Sequence, residues 1–293
     1  MTHFINVFLV PALFSSAVYA LVATGFNVGV RTTGVFNFAH GNLVTSAPLV
    51  VLVITSYLGW PTLLAFVGSF VVVMVIALLA ERIAIRPFMH SGHSLPWILS
   101  TFGVGIVLTT ASALPFSGDP KRFPYHVGLT PWNINGVLLT PVQALTMVTA
   151  VVTVLAVSLF YARTSLGRQL EAVAEDLDGA QSIGIDPRRM SMISMAIAAG
   201  LAVVTGWLVA PVLGVSPQLG LTITFSGFIA VAVGGVGSII GGVVGAAVVG
   251  FVSQVATVWV GSAATNALLF GCLFLVYMTR PTGLFGTIKA RAV

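Results

Sequence analysis

Long apolar runs, separated by short polar breaks, follow one another along almost the whole chain. Their approximate limits are 5–30, 42–58, 62–80, 95–115, 141–162, 190–212, 222–252 and 255–278. Most approach or exceed the roughly 20 residues that a helix needs to cross a bilayer. Runs such as VVVMVIALLA do not alternate apolar and polar positions as the strands of a membrane barrel do. The pattern therefore predicts an all-α polytopic membrane protein with about seven or eight transmembrane helices, forming one domain over 1–293.

The composition excludes a soluble fold. Hydrophobic residues make up 57% of the 293 positions and charged residues only 6%, whereas soluble domains carry about 25% charged residues. Such a chain has too few polar side chains to cover the surface of a soluble domain. The net charge of +5 needs no nucleic-acid partner, because basic residues concentrate in the cytoplasmic loops of membrane proteins. We therefore expect the chain to lie in the lipid bilayer and to bind no nucleic acid.

The few charges also predict an orientation. Nine of the 19 charged residues lie in the segment 163–189, which we expect to be a cytoplasmic loop. Counting spans backwards from it places the N-terminus outside, and the first 30 residues contain no Lys or Arg. Counting forwards, three full spans would place the basic residues Arg280, Lys289 and Arg291 outside, against the positive-inside rule. We therefore expect one of those runs to turn back, so that the C-terminus is cytoplasmic.

The run 222–252 is the best candidate for that reversal. Its 31 residues would form a helix of about 46 Å, well beyond a hydrocarbon core of about 30 Å. Its centre reads AVGGVGSIIGG, and glycine disfavours a continuous helix. We predict a re-entrant pair of short helices broken near Gly234–Ser238, at membrane depth, where protein or a water-filled cavity covers the backbone. A similar polar break over 31–41 separates the first two runs.

The segment 163–189 contains a short amphipathic helix. Leu170, Val173, Ala174 and Leu177 recur at helical spacing, and Pro187 ends the element. One interpretation is a solvated cytoplasmic loop. The other is a docking helix that receives force from a soluble partner.

Three blocks of sequence resemble the branched-chain amino acid permease family of ABC importers. They are GVFNFAHGNL at 34–43, RQLEAVAEDLDGAQSIGI at 168–185 and FIAVAVGGVGSIIGGVVGAAVVG at 228–250. The resemblance implies a permease subunit of the bacterial inner membrane that works by alternating access. It also implies a second permease subunit in a heterodimer, two cytoplasmic ATPase subunits and an extracytoplasmic substrate-binding protein. ATP and Mg would bind the ATPase chains, so we expect no cofactor and no catalytic residue in this chain.

The resemblance assigns coupling to the ATPases to the second block. The residues concerned are Glu171, Ala172, Glu175, Asp176, Gly179, Gly184 and Ile185. The substrate stays open, because the family also includes permeases for urea, short amides and small carboxylates. A secondary transporter or channel is the alternative of a different class. Proton or sodium coupling usually needs ionisable groups inside the bilayer, whereas Glu81 and Asp119, the acids outside 163–189, lie at span ends.

Two sets of uncharged residues are candidates for the substrate path and for helix packing. Asn37, Phe38, His40 and Ser238 could line the path or form a gate; alternatively, Asn37 and His40 join a broken helix to its neighbour by hydrogen bonds. Five glycines of the third block are expected to allow close helix packing; they are Gly234, Gly235, Gly237, Gly241 and Gly245. Gly237, Gly241 and Gly245 are spaced four residues apart and would share one helix face.

Arg31, two histidines and the single cysteine are considered individually. Arg31 lies either within the bilayer, where a charge is costly and usually functional, or at the cytoplasmic end of the first helix. His90 and His93 are expected to lie in a plain loop, because neighbouring residues are basic and Gly92 separates them. Cys272 is the one cysteine, so neither an intramolecular disulfide nor a cysteine-based metal cluster is expected.

Overall fold

The computed structural model describes residues 2–89, 95–116, 118–123, 130–261 and 264–286. Within these ranges the chain forms eleven helices and one β-hairpin. The strands are β1 (Trp132–Ile134) and β2 (Val137–Leu139). The helices are α1 (Thr2–Thr33), α2 (His40–Tyr57), α3 (Thr62–Phe88), α4 (Pro96–Phe116), α5 (Pro141–Arg163), α6 (Ser165–Glu175), α7 (Leu177–Ser182), α8 (Pro187–Leu213), α9 (Leu219–Gly234), α10 (Ile239–Val260) and α11 (Thr265–Thr279).

Most of these helices have the dimensions of membrane spans. Six of them, namely α1, α3, α4, α5, α8 and α10, are long and apolar enough to cross a membrane, while α9 and α11 are shorter apolar helices. Each predicted apolar run corresponds to one helix, except that 222–252 contains parts of α9 and α10 and 255–278 contains the end of α10 and most of α11. The predicted all-α polytopic fold is therefore confirmed.

Helix α1 lies at the centre of the bundle and is buried over most of its length. Helix α10 packs antiparallel to it, with Gly250 beside Ser16 and Gly242 beside Asn27. A side chain at either glycine would meet atoms of α1, so the absence of a Cβ permits this close approach. Helices α5, α8 and α9 complete the packing around α1.

The two ends of the bundle differ. At the end that we call the hairpin end, the Asn6 side chain donates to the Gly136 carbonyl and accepts from the Leu138 amide, both at 2.8 Å. At the opposite end, which we call the α6 end, α6 covers the last turns of α1 and α5. Since α1 runs from one end to the other, the N-terminus lies opposite the segment 163–189.

The hairpin was not predicted from the sequence. The segment between the apolar runs 95–115 and 141–162 was expected to be a loop. Its turn residues Asn135 and Gly136 have φ angles of 53° and 85°, as a type I′ turn requires. The dipeptide Asn-Gly between apolar residues is a strong hairpin signal and was available in the sequence.

The predicted break over 31–41 is confirmed, and it returns the chain into the bundle. Gly34 ends α1 with a φ of 69°, a conformation that glycine adopts without strain. His40, the first residue of α2, lies against Gly25 and Phe26, about 12 Å along α1 from its last residue at 1.5 Å per residue. The N-terminus of α2 is therefore buried inside the bundle, rather than at one of its ends.

The predicted break near Gly234–Ser238 is also confirmed. Helix α9 ends at Gly234, the chain reverses direction, and α10 begins at Ile239. Gly235 and Gly237 have φ angles of 112° and 80° in the turn, which favours glycine.

Two details of the re-entrant prediction were wrong. The turn lies at the α6 end, where it shares a cleft with Ala174 and Glu175, because α9 starts partway along the bundle and runs to its end. Helix α10 is not short either: the apolar residues after 252 extend it to Val260, for a total of 22 residues.

The described part of the C-terminal tail lies at the α6 end as well. The amides of Leu284 and Phe285 donate to the carbonyls of Val233 and Gly234 at 2.8 and 2.9 Å. The tail up to residue 286 and the segment 163–189 therefore share one end of the bundle, in agreement with the reversal inferred from the charges. Lys289 and Arg291 lie outside the described residues.

Candidate functional site

The α6 end of the bundle carries the amphipathic segment predicted over 163–189. Helix α6 begins after Thr164, whose hydroxyl caps it by accepting from the Gly167 amide at 2.9 Å. Gly167 lies directly against Phe160 and Tyr161 of α5, so the turn between α5 and α6 is tight. The helix thus lies against the end of the bundle instead of extending away from it.

One face of α6 is buried against several transmembrane helices. Leu170 and Val173 are the buried residues of that face. They belong to an apolar cluster that also contains one or two side chains from each of four spans and one from α7. The other buried members of this cluster are Val28, Val157, Tyr161, Ala180, Met190 and Ile239. Burial of apolar surface stabilises such a contact at about 25 cal/mol per Å². A displacement of α6 would consequently be felt by α1, α5, α8 and α10.

The residues after α6 are organised by side-chain caps. The Asp176 carboxylate accepts from the Asp178 amide at 3.1 Å and begins α7, while Gly179 lies against that carboxylate. Gly184 has a φ of 86° and open space around it, and Asp186 caps α8 by accepting from the Arg188 amide at 2.9 Å. Asp176, Gly179 and Gly184 therefore shape the turn whether or not they contact a partner.

The seven predicted coupling residues divide into an outward and an inward group. Glu175, Asp176 and Gly184 are exposed, and Gly179 is half-buried. Ala172 and Ile185 pack against the apolar cluster of α6, and Glu171 forms an ion pair with Arg31. Ile183, which was not selected from the sequence, exposes 74% of its surface beside this group. The outward group thus presents two carboxylates beside the exposed Ile183 side chain.

Arg31 lies in the last turn of α1, at the α6 end. Of the two interpretations left open by the sequence, the helix-end position is confirmed. One guanidinium nitrogen is 2.6 Å from a Glu171 carboxylate oxygen, and the guanidinium carbon lies 5.1 Å from the centre of the Tyr161 ring. A cation near a helix C-terminus is also favoured by the helix dipole.

Asn27 holds the turn between α9 and α10. Its side chain is fully buried, donates to the Ser238 carbonyl at 3.0 Å and accepts from the Gly237 amide at 2.9 Å. The Ser238 hydroxyl caps α10 by accepting from the Gly241 amide at 3.0 Å. Ser238, the predicted gate residue, therefore has a capping role, and its part in a gate stays a prediction. Asn27 was missed because a lone Asn in an apolar run carries no periodic signal.

Replacing Asn27 with leucine is expected to loosen this turn. The change removes both hydrogen bonds, and each buried group left unpaired costs about 1–3 kcal/mol. Hydrogen–deuterium exchange should become faster at the Gly237 amide while the amides in the middle of α8 stay protected. Asn133→Leu, which removes a bond to the Gly136 amide, is the control and should affect only the hairpin. Unchanged exchange over 235–241 in Asn27→Leu would contradict this role.

Three of the five predicted packing glycines lie between α9 and α10. A Cβ at Gly234, Gly241 or Gly245 would overlap backbone atoms of the facing helix, and Gly235 lies against Gly286 of the tail. Gly237 has open space around it, so its prediction as a member of the packed face was wrong. It lies in the turn before α10 starts, where helical spacing does not apply.

The other predicted path residues lie at the buried start of α2 or directly before it. The Asn37 side chain accepts from the Ala39 amide at 3.1 Å and His40 is 2% exposed. Phe38 stacks on Trp97 and Phe102, with ring centres 6.2 and 4.5 Å away. The larger aromatic cluster around it includes Phe26, Phe36 and Phe228.

Polar atoms accompany these rings. Asn42 accepts from the Thr109 hydroxyl at 3.1 Å, and Gly41 donates its amide to the Thr224 hydroxyl at 3.1 Å. The His40 Nε2 and Asn42 Nδ2 atoms are buried without a hydrogen-bond partner in the structure. Thr224 and Thr109 thus join the start of α2 to α9 and α4. Of the two residues given the helix-joining interpretation, Asn37 donates to the Met195 sulfur of α8 at 3.8 Å, whereas His40 Nε2 has no such bond in the structure. A substrate contact stays a prediction.

A buried carboxylate in α3, at the α6 end, binds an arginine of its own helix and a serine of α8. Glu81 is 0% exposed; it accepts from two nitrogens of Arg86 at 2.9 and 3.2 Å and from the Ser191 hydroxyl at 2.7 Å. The sequence placed Glu81 at a span end, but α3 continues beyond it to Phe88 and the residue is buried. Residues 81–85 are π-helical, and this winding brings residues five apart onto one face.

No metal centre is found in the parts of the chain that the structure covers, where no three His, Cys, Asp or Glu side chains cluster suitably. His90 and His93, expected in a plain loop, lie outside the described residues. The α6 end combines a helix packed against the bundle, an ion pair to α1 and a turn held by Asn27.

Comparison with known proteins identifies the family. Residues 8–278 match the model of the family described as "Branched-chain amino acid transport system / permease component". The chain belongs to this permease family. The resemblance drawn from the three sequence blocks is thus confirmed over nearly the whole chain.

Two curated relatives of the permease are similar along their full length. The high-affinity branched-chain amino acid transport system permease protein BraD of Pseudomonas aeruginosa is 30% identical, over 97% of this chain and 97% of its own. The corresponding protein LivH of Escherichia coli strain K12 is 28% identical, over 94% and 93%.

A solved structure has a similar fold. PsaBC from Streptococcus pneumoniae, in complex with Fab, matches with a TM-score of 0.52 at 14% identity. The match covers 97% of this chain and 96% of that one. The permease is accordingly a multi-pass membrane component of a transport system, and its family implies an ATPase and a substrate-binding protein as partners.

Proposed function

We propose that this chain is the membrane-spanning subunit of an ATP-driven importer for branched-chain or similar small amino acids. The relatives BraD and LivH carry that substrate in their names. A second permease subunit would complete the pathway, forming a heterodimer, and two ATPase subunits would bind ATP and Mg. An extracytoplasmic binding protein would deliver the substrate, and this chain would need no cofactor of its own.

The observation that carries the proposal is the packing of α6. Its apolar face contacts the ends of four spans, while Glu175, Asp176 and Ile183 face outward. A soluble ATPase that binds the outward surface could therefore move several transmembrane helices through one short element. Alternating access needs such a linked movement of helices.

The distribution of acids supports an external energy source. Six of the seven acidic residues lie outside the apolar helices, and Glu81 is paired with Arg86 and Ser191. A carrier driven by protons or sodium usually keeps ionisable groups along its path. A self-sufficient secondary transporter is consequently the weaker alternative, and urea, short amides or small carboxylates are the alternative substrates within the family.

The basic residues support an orientation of the chain in the bacterial inner membrane. The α6 end holds the basic residues Arg163, Arg168, Arg188 and Arg189 together with Arg280, and basic residues favour the cytoplasm. We infer that the α6 end and the described tail are cytoplasmic and that the N-terminus and the hairpin lie outside.

Changing the outward surface is expected to release the ATPase. Ile183→Asp removes the exposed apolar side chain, and Glu175→Lys reverses an exposed charge; neither residue belongs to the buried face of α6. Both variants should reach the membrane normally, co-purify less ATPase and import substrate at least about fivefold more slowly, as a loss of about 1 kcal/mol in docking predicts. Ile134→Asp, at an exposed apolar position of the hairpin, is the matched control for ATPase co-purification.

The complete transporter in proteoliposomes gives the decisive measurement. Uptake of radiolabelled leucine should require enclosed ATPase, ATP and the binding protein, and should persist without any ion gradient. Uptake driven by an ion gradient without ATP would overturn the proposal in favour of a secondary transporter. Full ATPase binding and uptake by Ile183→Asp and Glu175→Lys would show that docking occurs elsewhere.

A further inference from the structure

The last two turns of α1 contact two separate elements of the α6 end. Arg31 binds Glu171 of α6 with an N–O distance of 2.6 Å. One turn earlier, Asn27 holds the turn between α9 and α10 through Gly237 and Ser238. Residues four apart lie on the same side of a helix. The end of α1 is therefore the bridge between the docking helix and the α9–α10 turn.

Resting on the proposed function, we propose that Arg31 is a positioning residue that transmits movement of α6 through α1 to the α9–α10 turn. Its ion pair with Glu171 forms the first link, and the two hydrogen bonds of Asn27 form the second. Arg31 would act on transport through these contacts, without touching the substrate.

The surroundings of Arg31 suit a movable link better than a fixed one. The side chains of Arg31 and Glu171 are 26% and 37% exposed, and an ion pair of that exposure contributes little to stability. A cleft of about 550 Å³ is lined by Arg31, Glu175 and Ser238. The cleft leaves α6 and the α9–α10 turn room to move on this side, while Leu170, Val173 and Ile239 share the apolar cluster on the other.

The Tyr161 ring restricts how this link moves. The guanidinium of Arg31 lies over the ring at 5.1 Å, and a planar guanidinium combines such stacking with a directed bond to a carboxylate. Tyr161 itself belongs to the apolar cluster beneath α6. Arg31 is therefore guided on one side by α5 and bound on the other by α6. Lysine would preserve the charge but lose the planar geometry.

The test compares single charge reversals with the exchanged pair in the complete transporter. Arg31→Glu and Glu171→Arg should each lower the number of substrate molecules imported per ATP hydrolysed by at least about fivefold, the lower range for coupling between sites. The double variant, which restores opposite charges, should recover most of the wild-type ratio. Arg31→Gln serves as a milder variant if a charge reversal prevents folding. Arg31→Lys should import a number of substrate molecules per ATP between those of the wild type and Arg31→Glu.

A control separates this effect from a general change in charge. Arg163→Glu makes the same charge change at an exposed position of the same end and should leave the ratio unchanged. ATPase co-purification and the melting temperature should stay near wild type in all variants, because α6 keeps its buried face and its outward surface.

Each result bears on one hypothesis. A wild-type complex that fails to import with ATP would refute the proposed function itself. Coupled wild-type transport, together with an unchanged ratio in Arg31→Gln or no recovery in the exchanged pair, would overturn the role of Arg31 alone. The role of Arg31 would be supported if each single reversal lowered the substrate imported per ATP and the double variant restored it. A purely structural role would instead lower the protein yield and leave the transport per ATP unchanged.

Discussion

Gly245→Ala is expected to separate α9 from α10 and to reduce the amount of folded permease sharply. A Cβ at this buried position would overlap the Ala230 carbonyl and the Gly234 amide, which are backbone groups with no rotamer to change. Overfilling a packed site costs about 1–3 kcal/mol, and we expect a loss of about 3 kcal/mol because the helices must move apart. The melting temperature in detergent and the fraction that elutes as a single species measure the effect.

The matched control is Gly29→Ala in α1. A Cβ at Gly29 meets nothing within 4 Å, and alanine is a better helix former than glycine by about 0.5–1 kcal/mol. This variant should be as stable as the wild type or slightly more stable. The close contact of α9 and α10 would be unnecessary for folding if Gly245→Ala melted at the same temperature as Gly29→Ala.

Arg86→Met is expected to strand the Glu81 carboxylate inside the protein. Glu81 is 0% exposed and, among the residues that the structure describes, would retain the Ser191 hydroxyl as its one hydrogen-bond donor. Removing one partner of a buried ion pair costs about 3–5 kcal/mol, because the remaining charge is uncompensated. Unfolding in a chemical denaturant, followed by tryptophan fluorescence, measures the loss.

Two further variants show whether the stranded charge is the cause. Adding Glu81→Gln to Arg86→Met removes the charge and should recover a large part of the stability. Arg189→Met breaks an ion pair whose nitrogen and oxygen lie 3.9 Å apart, with Arg189 82% exposed, and should cost less than about 1 kcal/mol. Equal losses in Arg86→Met and Arg189→Met would contradict the importance of burial.

The helices and both breaks could be predicted because their signals are local. Apolar length indicates a span whatever the span packs against, and the glycines of 232–242 disfavour a continuous helix. The amphipathic spacing likewise identified Leu170 and Val173 on the buried face of α6, which the structure confirms. It wrongly continued the same helix to Leu177, which begins α7 after the cap at Asp176. The hairpin also had a local signal, the dipeptide Asn135–Gly136, that the overall apolar pattern obscured.

The partners of the polar side chains could not be predicted in the same way. Arg31 and Glu171 are 140 residues apart, and Glu81 and Ser191 are 110 apart, so no periodic pattern relates them. The pair of Glu81 and Arg86 is close in sequence but depends on a π-helical turn, which the usual spacing of three or four residues does not indicate. The depth of the α9–α10 turn was predicted wrongly for a related reason: helix length alone does not say where along the bundle a helix starts.

The sequence alone thus determined that the chain is a helical membrane protein with an amphipathic segment within 163–189 and a reversal at 235–238. Those conclusions follow from the free energy of placing apolar and charged groups in lipid or water, which depends on each residue and its near neighbours. The family, by contrast, was indicated by the resemblance of three sequence blocks. Only the tertiary structure decided that Arg31 binds Glu171, that Asn27 holds the reversal and that Glu81 is buried. Such contacts arise when distant segments are brought together, because every buried polar group must find its partner in the packed fold.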